Sequence, residues 1–135
     1  MGRRASRELA MKLLYQVEIQ KDDREWQVEY ALKSKPFDSK DKEYIKDVVW
    51  GVLNNKEKID NLIEKHAIGW KLNRISRVDL SILRVSIYEI LFRDDIPYNV
   101  SVNEAIELAK KYSTNEAGSF INGILSKVPK MQTVN

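Results

Sequence analysis

The chain has 135 residues, 43% hydrophobic and 32% charged, with a formal net charge of +3 and no cysteine. That length suits one domain with a real core, and the mixture is that of a globular rather than a disordered chain. Disulfides, thiolate zinc sites and thiol nucleophiles are excluded, and no apolar run approaches the ~18 residues of a membrane span.

Only 5 Gly and 3 Pro interrupt the chain, and the periodicity between them is helical throughout, which predicts an all-α fold of about seven helices. The first is expected from about Arg3 to Lys21. Its opening residues hold Arg3, Arg4, Arg7 and Lys12 against the lone acid Glu8. On a wheel of about 100° per residue, Leu9, Ala10, Leu13, Leu14 and Val17 share an apolar arc. Arg4, Glu8, Lys12 and Tyr15 face the other way, with Arg7 at the edge. A basic face carrying an aromatic suits a polyanion, since guanidinium groups pair with phosphates and a ring can stack on a base. A solvated surface helix fits the same pattern equally well. Leu9 to Leu14 is too short, and too interrupted by Lys12, for a signal peptide, so the chain is most simply cytoplasmic.

A short second helix, Arg24 to Ser34, ends at Pro36. Asp38 or Ser39 caps the third, which runs to the turn signal Asn54-Asn55. The fourth covers Lys56 to His66, and Gly69 and Trp70 fall in the link beyond it. The fifth, Ile75 to Arg93, is apolar nearly all round from Val78 to Leu91, the pattern of a centrally buried helix. After Asp94-Asp-Ile-Pro-Tyr98, Ser101 and Glu104 form a capping-box pattern at the next helix start. That helix reaches Tyr112, and the last covers Glu116 to Lys127. The domain is expected over residues 1–129, with a tail at 130–135.

Catalytic signals are weak. His66 is the lone histidine, there is no Gly-rich phosphate loop or nucleophile elbow, and Asp94-Asp95 reads as a turn rather than a metal site. No enzyme activity, cofactor or metal is expected. Binding signals are better: Lys110-Lys111-Tyr112 closes one helix, and Asn115-Glu-Ala-Gly-Ser119 opens the next, where free N–H groups suit a phosphate. Tyr112 and Phe120 fit either the core stripe of their helices or a stacking role. Trp26, Trp50 and Trp70 read as core anchors.

Three collinear motifs carry a family resemblance. Arg3-Arg-Ala-Ser-Arg-Glu-Leu-Ala-Met-Lys-Leu-Leu-Tyr15 resembles the opening of the NusB family of bacterial transcription antitermination factors. Asp79-Leu-Ser-Ile-Leu-Arg84 with Tyr88-Glu89 resembles its central helix. Ile96-Pro-Tyr98, Val102-Asn-Glu-Ala-Ile-Glu-Leu-Ala-Lys110 and Phe120-Ile-Asn-Gly-Ile-Leu125 resemble its most specific signature. The likeness runs from Arg3 to about Lys127 and is weakest between Asp22 and Asp38.

The resemblance implies two packed helical bundles and a factor that binds boxA RNA together with NusE, a small-subunit ribosomal protein. Such a complex joins elongating RNA polymerase and other Nus factors, notably in ribosomal RNA operons. Carried over by position, the RNA surface comprises Arg3, Arg4, Arg7 and Lys12 with Tyr112, Glu116, Ser119 and Phe120. The NusE contact involves Tyr15 and Asp79. A related domain precedes the catalytic domain of certain ribosomal RNA cytosine methyltransferases, but the chain stops soon after Pro129, without room for a cofactor-binding βαβ unit. A second hypothesis of another class is a purely protein–protein adaptor with solvated arginines.

Overall fold

Side-chain caps fix where most of the helices begin. In a computed structural model, which describes residues 2–128, the helices are α1 (Arg3–Ile19), α2 (Arg24–Lys33), α3 (Ser39–Asn54), α4 (Lys56–His66), α5 (Arg77–Phe92), α6 (Tyr98–Tyr112) and α7 (Asn115–Leu125). A single 3-10 turn, Leu72–Arg74, precedes α5. Asp23 accepts from the Trp26 amide, Asp38 from Asp41, Ser76 from Asp79 and Thr114 from Ala117. Each bond satisfies a backbone donor that the first helical turn leaves free. Gly69, at φ 83, turns the chain out of α4 in the left-handed region that favours glycine. The tail expected at 130–135 lies outside the described residues.

The helices form two groups. α1 packs on α2 and α3, while α4, α6 and α7 pack around α5; α1 and α3 also dock on α5. The central burial expected for α5 is observed: Ile82, Leu83, Val85, Ile87 and Ile90 are all fully buried. Each such side chain contributes about 1.5–3 kcal/mol by leaving water. At Gly51, α3 comes so close to α5 that an added Cβ would lie 2.2 Å from the Tyr88 ring. Only glycine lets these two backbones approach so closely.

Two expectations are corrected. α6 starts at Tyr98, behind Pro97, and Ser101 and Glu104 are not its cap. Ser101 turns inward to Glu89, and Glu104 reaches across to Arg4. Trp26 and Trp70 are not core anchors but are 60% and 52% exposed, and Trp26 stacks on exposed Tyr30. The apolar α5 also carries two fully engaged charges, Arg84 and Glu89. Arg84 binds Asp60 through two nitrogens and Glu18 through a third. Asp95 is held by Arg93 in a two-point pair, which makes Asp94-Asp95 part of a turn. Among the described residues no cluster of three or more His, Cys, Asp or Glu side chains can hold a metal, and no helix is long and apolar enough to cross a membrane.

Candidate nucleic-acid interface

α1 opens against a local electrostatic rule. Its first turn carries two arginines, Arg3 and Arg4, and no acid, although the positive end of a helix dipole disfavours cations. Its N-cap, Gly2, supplies no side-chain bond either. The rest of the fold compensates. The Arg4 guanidinium donates to both oxygens of Glu104, at 2.9 and 2.7 Å. Arg3 lies 4.3 Å from the centre of the Tyr44 ring. A sequence that breaks a local rule and is repaired from a distance marks a surface kept for something other than helix formation.

Arg7 departs from the expected basic face. It is 3% exposed and points into the molecule, where Nε donates to Glu89 Oε2 at 2.8 Å and Nη2 to Oε1 at 3.3 Å. Glu89 is fully buried and also accepts from the Tyr44 and Ser101 hydroxyls. α1, α3, α5 and α6 thus meet at one carboxylate. Burial and the Glu89 charge push the Tyr44 phenol well above its usual range, so it stays a proton donor. Arg7 is corrected from a phosphate-facing group to a structural one: a buried carboxylate must be paired, and the edge of the basic face is the nearest place to find a cation.

The remaining candidates lie together on the outside. Lys12 is half exposed, with Nζ 5.1 Å above the Tyr112 ring and 3.9 Å from Glu8. Lys111, on α6, donates to Glu8 at 2.8 Å and sits 5.3 Å from the same ring. Tyr112 is half-buried, so one edge packs while the other meets cations. Tyr15, Met11, Lys12, Val78 and Tyr112 line a hollow of about 190 Å³.

Beyond Val78 comes its neighbour Asp79, which opens onto a larger groove of about 370 Å³ between the start of α5 and the start of α7. Trp70 and Phe120 form its aromatic wall, edge to face at 6.2 Å, and Thr114 and Glu116 lie along it. Ser119 is exposed on α7. Ser76 and Asp79 have the spacing of a capping box, and the Ser76 hydroxyl accepts from the Asp79 amide at 3.1 Å. Asp79 Oδ1, however, is buried and has no hydrogen-bond partner. A buried carboxylate oxygen without a protein donor is costly, which marks this carboxylate as one not fully satisfied by the fold.

The family model for the NusB family matches residues 4–130. The chain belongs to the NusB family. It is 62% identical over 130 residues to the transcription antitermination protein NusB of Ruminiclostridium cellulolyticum, covering 96% of this chain and 90% of that one. Against the protein of the same name from Acetivibrio thermocellus it is 61% identical over 135 residues, covering 100% and 93%. Among solved structures, NusB of T. maritima superposes with a TM-score of 0.88 at 41% identity, covering 96% and 92%. A crystal structure of the antitermination factors NusB and NusE in complex with double-stranded RNA gives 0.85 at 27% identity, covering 96% of each chain. The all-α architecture is therefore that of NusB structures.

Sequence reasoning missed three features of this face. Trp70 follows a glycine in a link, a weak hint of exposure. Glu8 reads as a charge four residues before Lys12 and Glu104 as half of a capping box, and nothing local assigns either of them a partner on another helix. Their partners Lys111 and Arg4 lie 103 and 100 residues away.

Proposed function

We propose that this chain is a transcription antitermination factor that binds boxA RNA together with NusE and acts on elongating RNA polymerase with other Nus factors, notably in ribosomal RNA operons. Its work is binding in the cytoplasm, without catalysis. The observation that carries this reading is the continuity of one surface, on which Lys12 and Tyr112 share a hollow with Tyr15 while Phe120 shares a groove with Asp79. The family membership and the likeness to a NusB–NusE–RNA complex support it.

On this reading Arg3, Arg4 and Lys12 hold phosphates, which sets affinity and its salt dependence. Tyr112, Glu116, Ser119 and Phe120 border the same strand, the rings offering stacking surface and Glu116 and Ser119 hydrogen bonds. Tyr15 and Asp79 take NusE: Tyr15 offers a half-exposed ring, and the half-buried Asp79 carboxylate on the wall of the groove accepts a hydrogen bond or ion pair from the incoming protein. The adaptor reading, with solvated arginines, is set aside because that face is built beside aromatic rings rather than scattered over the surface.

Calorimetry with NusE tests this. Truncating one member of a desolvated charge pair across an interface costs about 2–5 kcal/mol. Asp79→Ala should therefore weaken NusE binding at least ~10-fold while RNA binding by the isolated chain stays unchanged. Unchanged affinity for NusE would remove Asp79 from the interface and leave it a helix-start carboxylate.

A further inference from the structure

We propose that Glu104 and Glu8 are internal stand-ins for RNA phosphates, holding the basic face in a self-neutralised state that RNA must displace. The inference rests on the RNA-binding reading of that face and adds to it a determinant of affinity. A groove of about 520 Å³ runs between the first half of α1 and α6, and both carboxylates lie in it beside Arg4 and Lys111. Arg4 is 73% exposed, yet its Nε and Nη2 donors are both spent on Glu104. Lys111, 63% exposed, is spent on Glu8, and Lys12 approaches the same carboxylate.

The carboxylates are better held than the cations. Glu104 is 16% and Glu8 22% exposed, and Glu104 also lies 3.6 Å from buried Arg7. A guanidinium fork binds a carboxylate and a phosphate with the same two-point geometry. The flexible, exposed partner in each pair is the one that RNA would claim, and the acid remains behind in the groove.

Exchange of a carboxylate for a phosphate leaves the charge on the cation unchanged. The gain from each contact is therefore smaller than for a free cation, and the freed acid recruits a counterion that offsets the one released from RNA. Removing the acid should restore the missing part of the salt dependence, about 0.7 in the slope of log affinity against log salt for each cation that then meets a phosphate on single-stranded RNA.

The experiment is a fluorescence-anisotropy titration of the full chain with a boxA-like single-stranded RNA at several salt concentrations. Glu104→Gln and Glu8→Gln should each tighten binding about two- to fivefold, the range of an exposed ion pair, and steepen the slope. Glu29→Gln changes net charge equally, at a carboxylate paired with Lys46 between α2 and α3, and should leave the slope as it was. Arg4→Ala should weaken binding. If Arg4→Ala weakens binding but neither glutamine variant tightens it, the stand-in proposal is overturned and the RNA face survives. If Arg4→Ala has no effect, the face itself is misassigned and the proposal falls with it. Glu8→Gln keeps the test independent of folding at Arg7, because Glu8 does not touch that buried cluster.

Discussion

Glu89→Gln should be the most damaging conservative substitution in this chain. Glu89 is fully buried and, among the described residues, is the only carboxylate hydrogen-bonded to Arg7, which is 3% exposed. An amide of the same shape can still bond the Tyr44 and Ser101 hydroxyls, but it leaves Arg7 as a buried charge without its counterion. Breaking such a pair costs about 3–5 kcal/mol. Glu104, 3.6 Å from Arg7, offers partial replacement and places the loss toward the lower end. For 135 residues the entropy of unfolding is about 0.28 kcal/mol/K, so the melting midpoint should fall by about 10–15 °C. Urea unfolding followed by circular dichroism gives the free energy directly. Joint replacement, Arg7→Met with Glu89→Met, removes both charges and should cost less than the two single changes added together. A loss under about 1 kcal/mol for Glu89→Gln, or strict additivity in the cycle, would refute the claim that this buried pair holds the four helices together.

Leu83, fully buried on α5, should lose about 2–5 kcal/mol on Leu83→Ala; a thermal melt shifted by only a degree or two would deny α5 its central place. Acidification should destabilise the fold with a definite sign. The Arg4 hydrogen bond holds Glu104 below its ordinary 4.5, and Arg93 holds Asp95 below 3.8. The native state therefore binds fewer protons than the unfolded chain in that window, and stability present above it is lost as pH falls through the folded values. His66 acts in the same direction from higher pH, since partial burial and Lys65 lower its pKa below 6.5. Urea midpoints should decline gently below about pH 6.5 and steeply below about pH 4.5; a midpoint unchanged down to pH 3 would contradict the sign.

Helix existence was readable because periodicity and caps are local. α4 begins and ends at the expected Lys56 and His66, and α5 is as apolar as its sequence suggests. Ser101 and Glu104 misled because their spacing satisfies a capping rule that the fold overrides: a buried carboxylate 12 residues back on α5 draws the serine inward. Arg7 was placed at the edge of its helical wheel, and the edge is where burial is decided by a partner. That partner is 82 residues away, which no window of sequence contains. The same limit hid the pairing of Arg4 with Glu104 and of Lys111 with Glu8. Individual candidates such as Tyr15, Lys12 and Asp79 were readable by family resemblance, whereas their grouping around two adjoining hollows is a product of how α1, α5, α6 and α7 pack.

The central claim is that one surface serves RNA and a protein partner together. Its most direct test is an anisotropy titration of the chain with boxA-like and scrambled single-stranded RNA, each with and without NusE. The account predicts salt-dependent binding by the chain alone, a preference for the boxA-like sequence, and tighter binding to that sequence once NusE is present. Equal affinity for both sequences that NusE does not change, or no binding to either, would contradict it.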